Sequence, residues 1–563
     1  MHSATIRTMR GNDYMSASNK KKLRKEQNAA AMTEKQLNEQ KEAKKLKTYT
    51  WTFVIAMILV VVIAIGSVIR IPIAGALERA HDAIKIGGHT LTTTDLSYYY
   101  VDAINDHYNQ AYQQYGNYAS LLLGFKTGTP LNEQKYTASE DFETWADYFM
   151  DKGIENATSI YALYNDALAK GHKLTEDEQK TLDSQLNSIG DMAEYYGYSS
   201  TNAYLRATYG LGANEKTYGA YYTINTIASS YYAAHSESLE YTDEDFRAYE
   251  KDKINDYNSY SYGSYTFVVN DFLKGGTEGE DGKTTYSDAE KKQAEKDAKA
   301  AADALAKGEF KDYEAFEEAI KALDINKDKE DVAVYKYEDK LFKNLSHEEM
   351  KKWLSGNRKT GDMTVIDVTT TTKDTDGKEV KTTTGYTVYY FIDSTDNKTA
   401  LVDVRHILIK YTGGKTTSDG TVVYTEAEKT ATKDAAQAIL DEWRKGEATE
   451  ESFGKLAEAK TQDTGSKTTG GLYEKVYPGQ MVTNFNDWCF DEARKAGDTG
   501  LISTDYGYHI MYYVKANDQT YRDLMIESEI RAEDMDKWQE ELNKTVTVEK
   551  IDLSRMNWEY KFG

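Results

Sequence analysis

Polar and apolar residues follow three successive rhythms along this chain. The first is a block without charge. Thr48 to Ile69 contains no Asp, Glu, Lys or Arg and centres on the apolar run Phe53–Ile65. As a helix this block is about 33 Å long, against about 30 Å of bilayer hydrocarbon, so it predicts a membrane anchor over 49–70. Tyr49 and Trp51 stand where an interfacial aromatic belt belongs, and Lys47 and Arg70 bracket the span. The basic side, with Lys20, Lys21, Lys22, Arg24, Lys25, Lys44, Lys45 and Lys47, is N-terminal. Positive charge is retained inside, so the N-terminus is expected in the cytoplasm and everything after about residue 72 outside it, across the plasma membrane. The competing reading is a cleaved signal peptide, whose charged region is short and whose apolar core is about 7–15 residues. Here both the preceding arm, 1–48, and the apolar run are longer.

The second rhythm is helical. Ala83 to Leu91 reads as a short strand and turn, after which Tyr98, Tyr99, Tyr100, Ile104 and Tyr108 fall near helical spacing. This period continues to about residue 238, broken at Gly116, Gly153, Gly171, Gly190 and Gly197. An all-helical domain is expected over 81–240. His89, His107 and His172 stand alone in it, without a partner at i+3 or i+4, and read as surface or core residues rather than metal ligands.

The third rhythm is a duplication. The helical stretch Asp288–Glu309 recurs as Glu426–Glu447 at a constant offset of 138, including the Lys-Gly-Glu at its end. A strand precedes each copy (Tyr265–Val269 and Arg405–Ile409), and another closes each unit (Gly385–Ile392 and Gly507–Val514). Two α+β modules of one plan are therefore expected, over 243–396 and 401–516. The segment 517–563 returns to helix, and the acidic Gly/Thr stretches 274–286 and 371–384 read as loop insertions.

Composition narrows the function classes. The arm 1–48 has 12 Lys/Arg against 5 Asp/Glu, a local +7, so the rest of a chain of net charge −23 carries −30. Such a body repels nucleic acid phosphate, and no nucleic-acid partner is expected. The single cysteine, Cys489, excludes a disulfide framework and a cysteine-based zinc cluster. With 46 Tyr against 15 Phe and 7 Trp, the chain suits half-wet grooves as well as dry cores. There is no G-x-S-x-G elbow and no H-E-x-x-H helix, and Gly276–Thr284 misses phosphate-loop spacing.

Three segments of the second module resemble the parvulin family of peptidyl-prolyl cis–trans isomerases. Val404-Arg-His-Ile-Leu-Ile-Lys410 is similar to its opening strand. Gly470-Gly471 with Pro478-Gly-Gln-Met-Val482 and Phe485 is similar to its central signature. Thr504-Asp-Tyr-Gly-Tyr-His-Ile510 is similar to its closing strand. The whole order of anchor, helical domain, modules and returning helix resembles the extracytoplasmic foldases of the PrsA and SurA type. The fold class implied is α+β: a transmembrane helix, an all-helical SurA-N-like chaperone domain, two parvulin-like modules of which the first is degenerate, and a C-terminal helix.

The resemblance implies a rotamase site without cofactor or metal. His406 and His509 match a hydrogen-bonded histidine pair, Asp463 an acidic position beside the amide, and Thr504 a polar residue at the edge. Met481, Phe485 and Phe490 match the apolar proline pocket. Tyr473 stands where the family has a pocket leucine, and Tyr506 where it is often small and polar. The loop 411–424 holds Lys415 and no arginine, which argues against preference for phosphorylated substrates. In the first module Thr266 and Thr387 are set against the two histidines. Implied partners are unfolded or nascent exported polypeptides with X–Pro bonds and membrane lipid along 49–70; a homodimer is left open. The rival reading is a catalytically inactive holdase or assembly scaffold.

Overall fold

The computed structural model describes residues 44, 45, 47, 50, 52–58, 71–278, 283–373 and 377–558. The arm 1–48 and the anchor 49–70 lie largely outside these residues. Among the described residues no helix is long and apolar enough to cross a membrane. The chain divides into two compact units, Met1–Glu237 with Lys537–Gly563, and Ser238–Asp536.

After helix at 71–80 the first unit forms a hairpin, β1 (Asp82–Ile86) and β2 (His89–Thr92), turning at Gly87 and Gly88, both in the positive-φ region. Helices follow: α1 (Thr93–Tyr115), α2 (Trp145–Ala169), α3 (Glu176–Tyr195), α4 (Thr201–Tyr209) and α5 (Glu215–Ser238). Three of them begin in capping boxes, Thr92 with Asp95, Thr144 with Asp147 and Thr175 with Glu178. Gly153 lets α2 close on α1, because a Cβ there would lie 3.0 Å from the Tyr99 carbonyl oxygen. The strand Val548–Lys550 pairs antiparallel with β1. The region expected to be all-helical thus carries a three-stranded sheet, completed by a strand some 460 residues away that local periodicity does not reveal. The three tyrosines of α1 turn inward, at 0%, 3% and 1% exposure for Tyr98, Tyr99 and Tyr100.

The second unit begins with α6 (Asp243–Glu250) and then uses one plan twice. The first module runs β3 (Ser259–Val268), a small hairpin β4 (Thr277–Glu278) and β5 (Thr284–Thr285), α7 (Asp288–Leu305), α8 (Tyr313–Lys321), β6 (Tyr335–Leu341), α9 (Glu348–Leu354), β7 (Met363–Lys373) and β8 (Glu379–Thr395). The second runs β9 (Ala400–Lys410), hairpin β10 (Lys415–Thr416) and β11 (Val422–Val423), α10 (Glu426–Lys445), α11 (Glu450–Lys460), β12 (Leu472–Val476), α12 (Thr483–Cys489), β13 (Thr499–Thr504) and β14 (Gly507–Thr520). Both sheets are antiparallel and four-stranded, ordered β6-β3-β8-β7 and β12-β9-β14-β13. Even the loop chemistry repeats. Glu290 and Glu428 each close a capping box and accept the amide of a hairpin glycine, Gly276 or Gly414. The helix α13 (Tyr521–Lys544) follows.

In the second module the central strand β9 is buried on both faces, so it carries apolar residues on each, Val402 and Val404 on one and Ile407 and Ile409 on the other. Ile407 packs with Ile510, Ala436, Leu440 and Phe453 against α10 and α11. Val402 and Val404 pack on the other face with Met511, Phe485 and Trp488 against α12. Alternation along β9 puts His406 on this second face.

Candidate active site

The site is assembled where the loop 461–471 folds back along β9. Thr461 accepts the Leu408 amide at 3.1 Å, the Gln462 amide reaches the Leu408 carbonyl at 2.9 Å, and Gln462 accepts the Lys410 amide at 2.6 Å. At its far end the His406 amide donates to the Gly471 carbonyl at 2.8 Å. Gly471 sits at φ +72°, and a Cβ there would lie 2.2 Å from the His406 carbonyl oxygen, so the position needs glycine. Arg405 ties the loop from the opposite face through Glu450 (3.0 Å) and the carbonyls of Thr469 (2.8 Å) and Gly470 (3.0 Å).

This clamp brings Asp463 to His406. The two histidines lie on adjacent central strands, where His406 pairs with Met511 and His509 with Leu408, so they meet on the diagonal. Their Nδ1 atoms are 3.0 Å apart. His406 Nε2 lies 3.0 Å from Asp463 Oδ2 and 3.1 Å from Ser466 Oγ. His509 Nε2 lies 2.8 Å from Thr504 Oγ1. Tyr473 donates its hydroxyl to Asp463 Oδ2 at 2.9 Å, and Ser466 donates to the same oxygen.

The protonation pattern follows from the electrostatics. Burial works to raise the Asp463 pKa, but hydrogen bonds from Ser466, Tyr473 and His406 outweigh it and hold the carboxyl well below the usual range. Burial pushes both imidazoles down, His509 to about 3, with His406 lowered despite its carboxylate neighbour. Both rings are therefore neutral. An ionised Asp463 only accepts, so His406 carries its proton on Nε2 and accepts at Nδ1. His509 then donates from Nδ1 and accepts the Thr504 hydroxyl at Nε2. Thr504 in turn accepts the Tyr506 amide at 3.2 Å. The result is a one-way chain of donors from Tyr506 to Asp463.

Above the chain lies a cavity of about 360 Å³ lined by His406, Leu408, Lys410, Asp463, Tyr473, Gln480, Met481, Val482, Phe485, Tyr506 and His509. Phe485 sets its ring edge-on to both histidines, 5.5 Å from each. Tyr473 stacks on His406 at 5.1 Å and 22°. Tyr506 is 62% exposed. Of the residues singled out in the sequence, His406, Asp463, His509, Met481, Phe485, Tyr473 and Tyr506 line this cavity, and Thr504 stands behind His509. Phe490 does not line it. It follows α12 and packs against the core beside Trp488 and Cys489, because that short helix turns only one side to the site. Ser466, 1% exposed, was missed; its only signal is its place three residues after Asp463.

The first module makes a different arrangement. Gly385 pairs with Val268 as Gly507 pairs with Lys410, which makes Thr387 the counterpart of His509. The same register makes Ser264 the counterpart of His406 and Thr266 that of Leu408, two residues from the sequence match. Thr266 and Thr387 face each other across the strands at 2.8 Å. Tyr262 stacks on Tyr337 at 4.8 Å and approaches Tyr389 at 6.0 Å, filling the space over that face.

The family-model match covers the region of this site. Residues 386–520 match the family model of the PPIC-type PPIASE domain, beginning within β8. Foldase protein PrsA 1 of Listeria monocytogenes is 31% identical over 93 residues, 15% of this chain and 32% of the relative. Foldase protein PrsA of Geobacillus sp. is 32% identical over 109 residues, 18% of this chain and 39% of the relative. The chain thus spans about a third of the length of these curated relatives. Among solved structures, PrsA from Bacillus subtilis aligns with 73% of this chain and 89% of its own at 13% identity and TM-score 0.25. NmPin, the parvulin of Nitrosopumilus maritimus, aligns with 21% of this chain and 98% of its own at 25% identity and TM-score 0.15. Residues 386–520 are thus similar to the PPIC-type PPIASE domain, and the curated relatives that the chain matches in part are PrsA foldases.

Proposed function

We propose that the second module isomerises X–Pro bonds of exported polypeptides at the outer face of the membrane, and that the remaining domains hold those clients. The observation that carries this reading is the directional chain Thr504–His509–His406–Asp463 beneath an apolar wall of Met481 and Phe485 in one cavity.

Rotation about an X–Pro bond meets a barrier of about 18–20 kcal/mol because it breaks amide resonance. As the bond twists, negative charge leaves the carbonyl oxygen and returns to nitrogen. An apolar floor grips the proline ring. A fixed carboxylate beside the amide disfavours the planar form, whose oxygen carries more negative charge, and so favours the twisted one. Within Asp463, Oδ2 is taken by His406, Ser466 and Tyr473, while Oδ1 accepts the Gly465 amide at a long 3.3 Å and retains capacity toward a substrate. No covalent intermediate is needed.

In this reading the six segments act as arm (1–48), anchor (49–70), client-holding helical domain (81–240), catalytically silent module (243–396), isomerase (401–516) and closing helix (517–563). The test uses the full chain in detergent micelles and its His406→Ala/Phe485→Ala variant. It follows cis–trans exchange of a short X–Pro peptide by NMR, together with suppression of client aggregation. Acceleration that the variant loses is the expected result. Suppressed aggregation without acceleration would instead make the protein a holdase built on an inactive parvulin fold.

A further inference from the structure

Asp463 is held by three side-chain donors, and one of them departs from the resemblance that led to the site. Tyr473 lies on β12, whose pairing with β9 sets Tyr473 opposite Val404. From there its ring covers one face of His406 while its hydroxyl reaches over the ring to Asp463 Oδ2. A leucine at this position would supply apolar bulk to the pocket and nothing to the carboxylate. We propose that Tyr473 is a positioning residue, which fixes the Asp463 carboxylate and the His406 ring in one geometry and leaves Asp463 Oδ1 as the oxygen presented to the substrate amide. The proposal rests on the isomerase reading above.

Three observations support it independently of one another. The Tyr473 hydroxyl and the Ser466 hydroxyl converge on the same oxygen that receives His406 Nε2, so rotation of the carboxylate would break three bonds together. Tyr473 also lines the cavity, so its ring closes the wall that the hydroxyl does not reach. Burial and the neighbouring carboxylate push its phenol up to about 12, so it remains a donor throughout the neutral range. The charged and titratable groups that share the cavity with Tyr473 are His406 on β9, His509 on β14, Lys410 at the end of β9, Tyr506 and Asp463 itself.

The test separates the hydroxyl from the ring. In Tyr473→Phe the ring stays, so KM for an X–Pro peptide should stay within about twofold. A hydrogen bond to a charged group is lost, so kcat should fall about tenfold. In the Asp463→Asn background the same Phe substitution should change kcat by less than about twofold, because the hydroxyl acts through that carboxylate. A second readout needs no activity. In full-length chain labelled with ¹⁵N-histidine, the His406 Nε2–H proton should move downfield in Tyr473→Phe, as the carboxylate charge is shared among fewer donors. An unmoved resonance with unchanged kcat overturns the proposal, as does an equal loss of kcat in both backgrounds. A wild-type chain that accelerates nothing yet shows the shift would remove the isomerase reading and leave the positioning role in place.

Discussion

His406 and His509 meet through their Nδ1 atoms at 3.0 Å, diagonally across β9 and β14, and both rings are neutral there. The contact joins residues 103 positions apart and makes two side chains that are ordinary in isolation into one hydrogen-bonded unit. Much of what the site does should be read from the state of this pair.

The pair should make stability pH-dependent in a definite direction. Burial lowers both histidine pKa values from 6.5, that of His509 to about 3. The unfolded chain therefore binds more protons than the folded one between these values, and stability falls as pH drops from about 6.5 toward 4. Against His509→Gln, wild type should lose more melting temperature over that interval, and the two should run parallel above pH 7. Circular dichroism melts of both proteins measure this. Isomerase activity should likewise show no step near pH 6.5.

Gly471→Ala should open the site. The new Cβ would meet the His406 carbonyl oxygen at 2.2 Å from a residue at φ +72°. A cost of about 3 kcal/mol is expected, concentrated in β9 and β12. Gly479, at φ +82° with nothing within 4 Å of an added Cβ, is the control. Its alanine variant should cost about 1 kcal/mol. Amide hydrogen exchange of the two strands distinguishes them.

Arg522 is 2% exposed and joins Glu250, Asn258 and the carbonyls of Ile254 and Asp396, where the first module begins and the second ends. Arg522→Met leaves the buried Glu250 with only Arg247, which should cost about 3 kcal/mol. The double variant Arg522→Met/Glu250→Leu should recover most of that loss. Denaturant midpoints of the three proteins, read by hydrogen exchange around residues 250–258, test the pair.

Thr387→Val in the first module should cost about 1 kcal/mol, since Thr266 loses its partner across the strands. X–Pro exchange should be unchanged. A tenfold loss of rate in this variant would place function in the module that lacks the histidines.

Much of the second unit was legible because its signals are local. The repeated Lys-Gly-Glu ends and the strand-flanked helices occupy the same positions in both copies. The small sheet of the first unit was only half legible, because the Val548–Lys550 strand belongs to it through pairing alone. Phe490 matches the proline pocket through the resemblance alone, whereas in the structure it follows α12 and packs with the core beside Trp488 and Cys489. The inward turn of Tyr98, Tyr99 and Tyr100 was hidden by the amphipathic character of tyrosine, which suits a core and a groove alike.

By itself the sequence determined the repeat of Asp288–Glu309 at Glu426–Glu447 and the strands that flank each copy, since period and repeats are properties of neighbouring residues. Only the tertiary structure decided that His406 meets His509 on the diagonal, that Ser466 and Tyr473 converge on one oxygen of Asp463, and that Ser264 rather than Thr266 is the counterpart of His406. Those facts depend on strand register and on a loop clamped by Gly471 and Arg405. The register of β9 against β14 depends on which buried faces of two strands about a hundred residues apart pack together, and neither strand's own sequence names its partner.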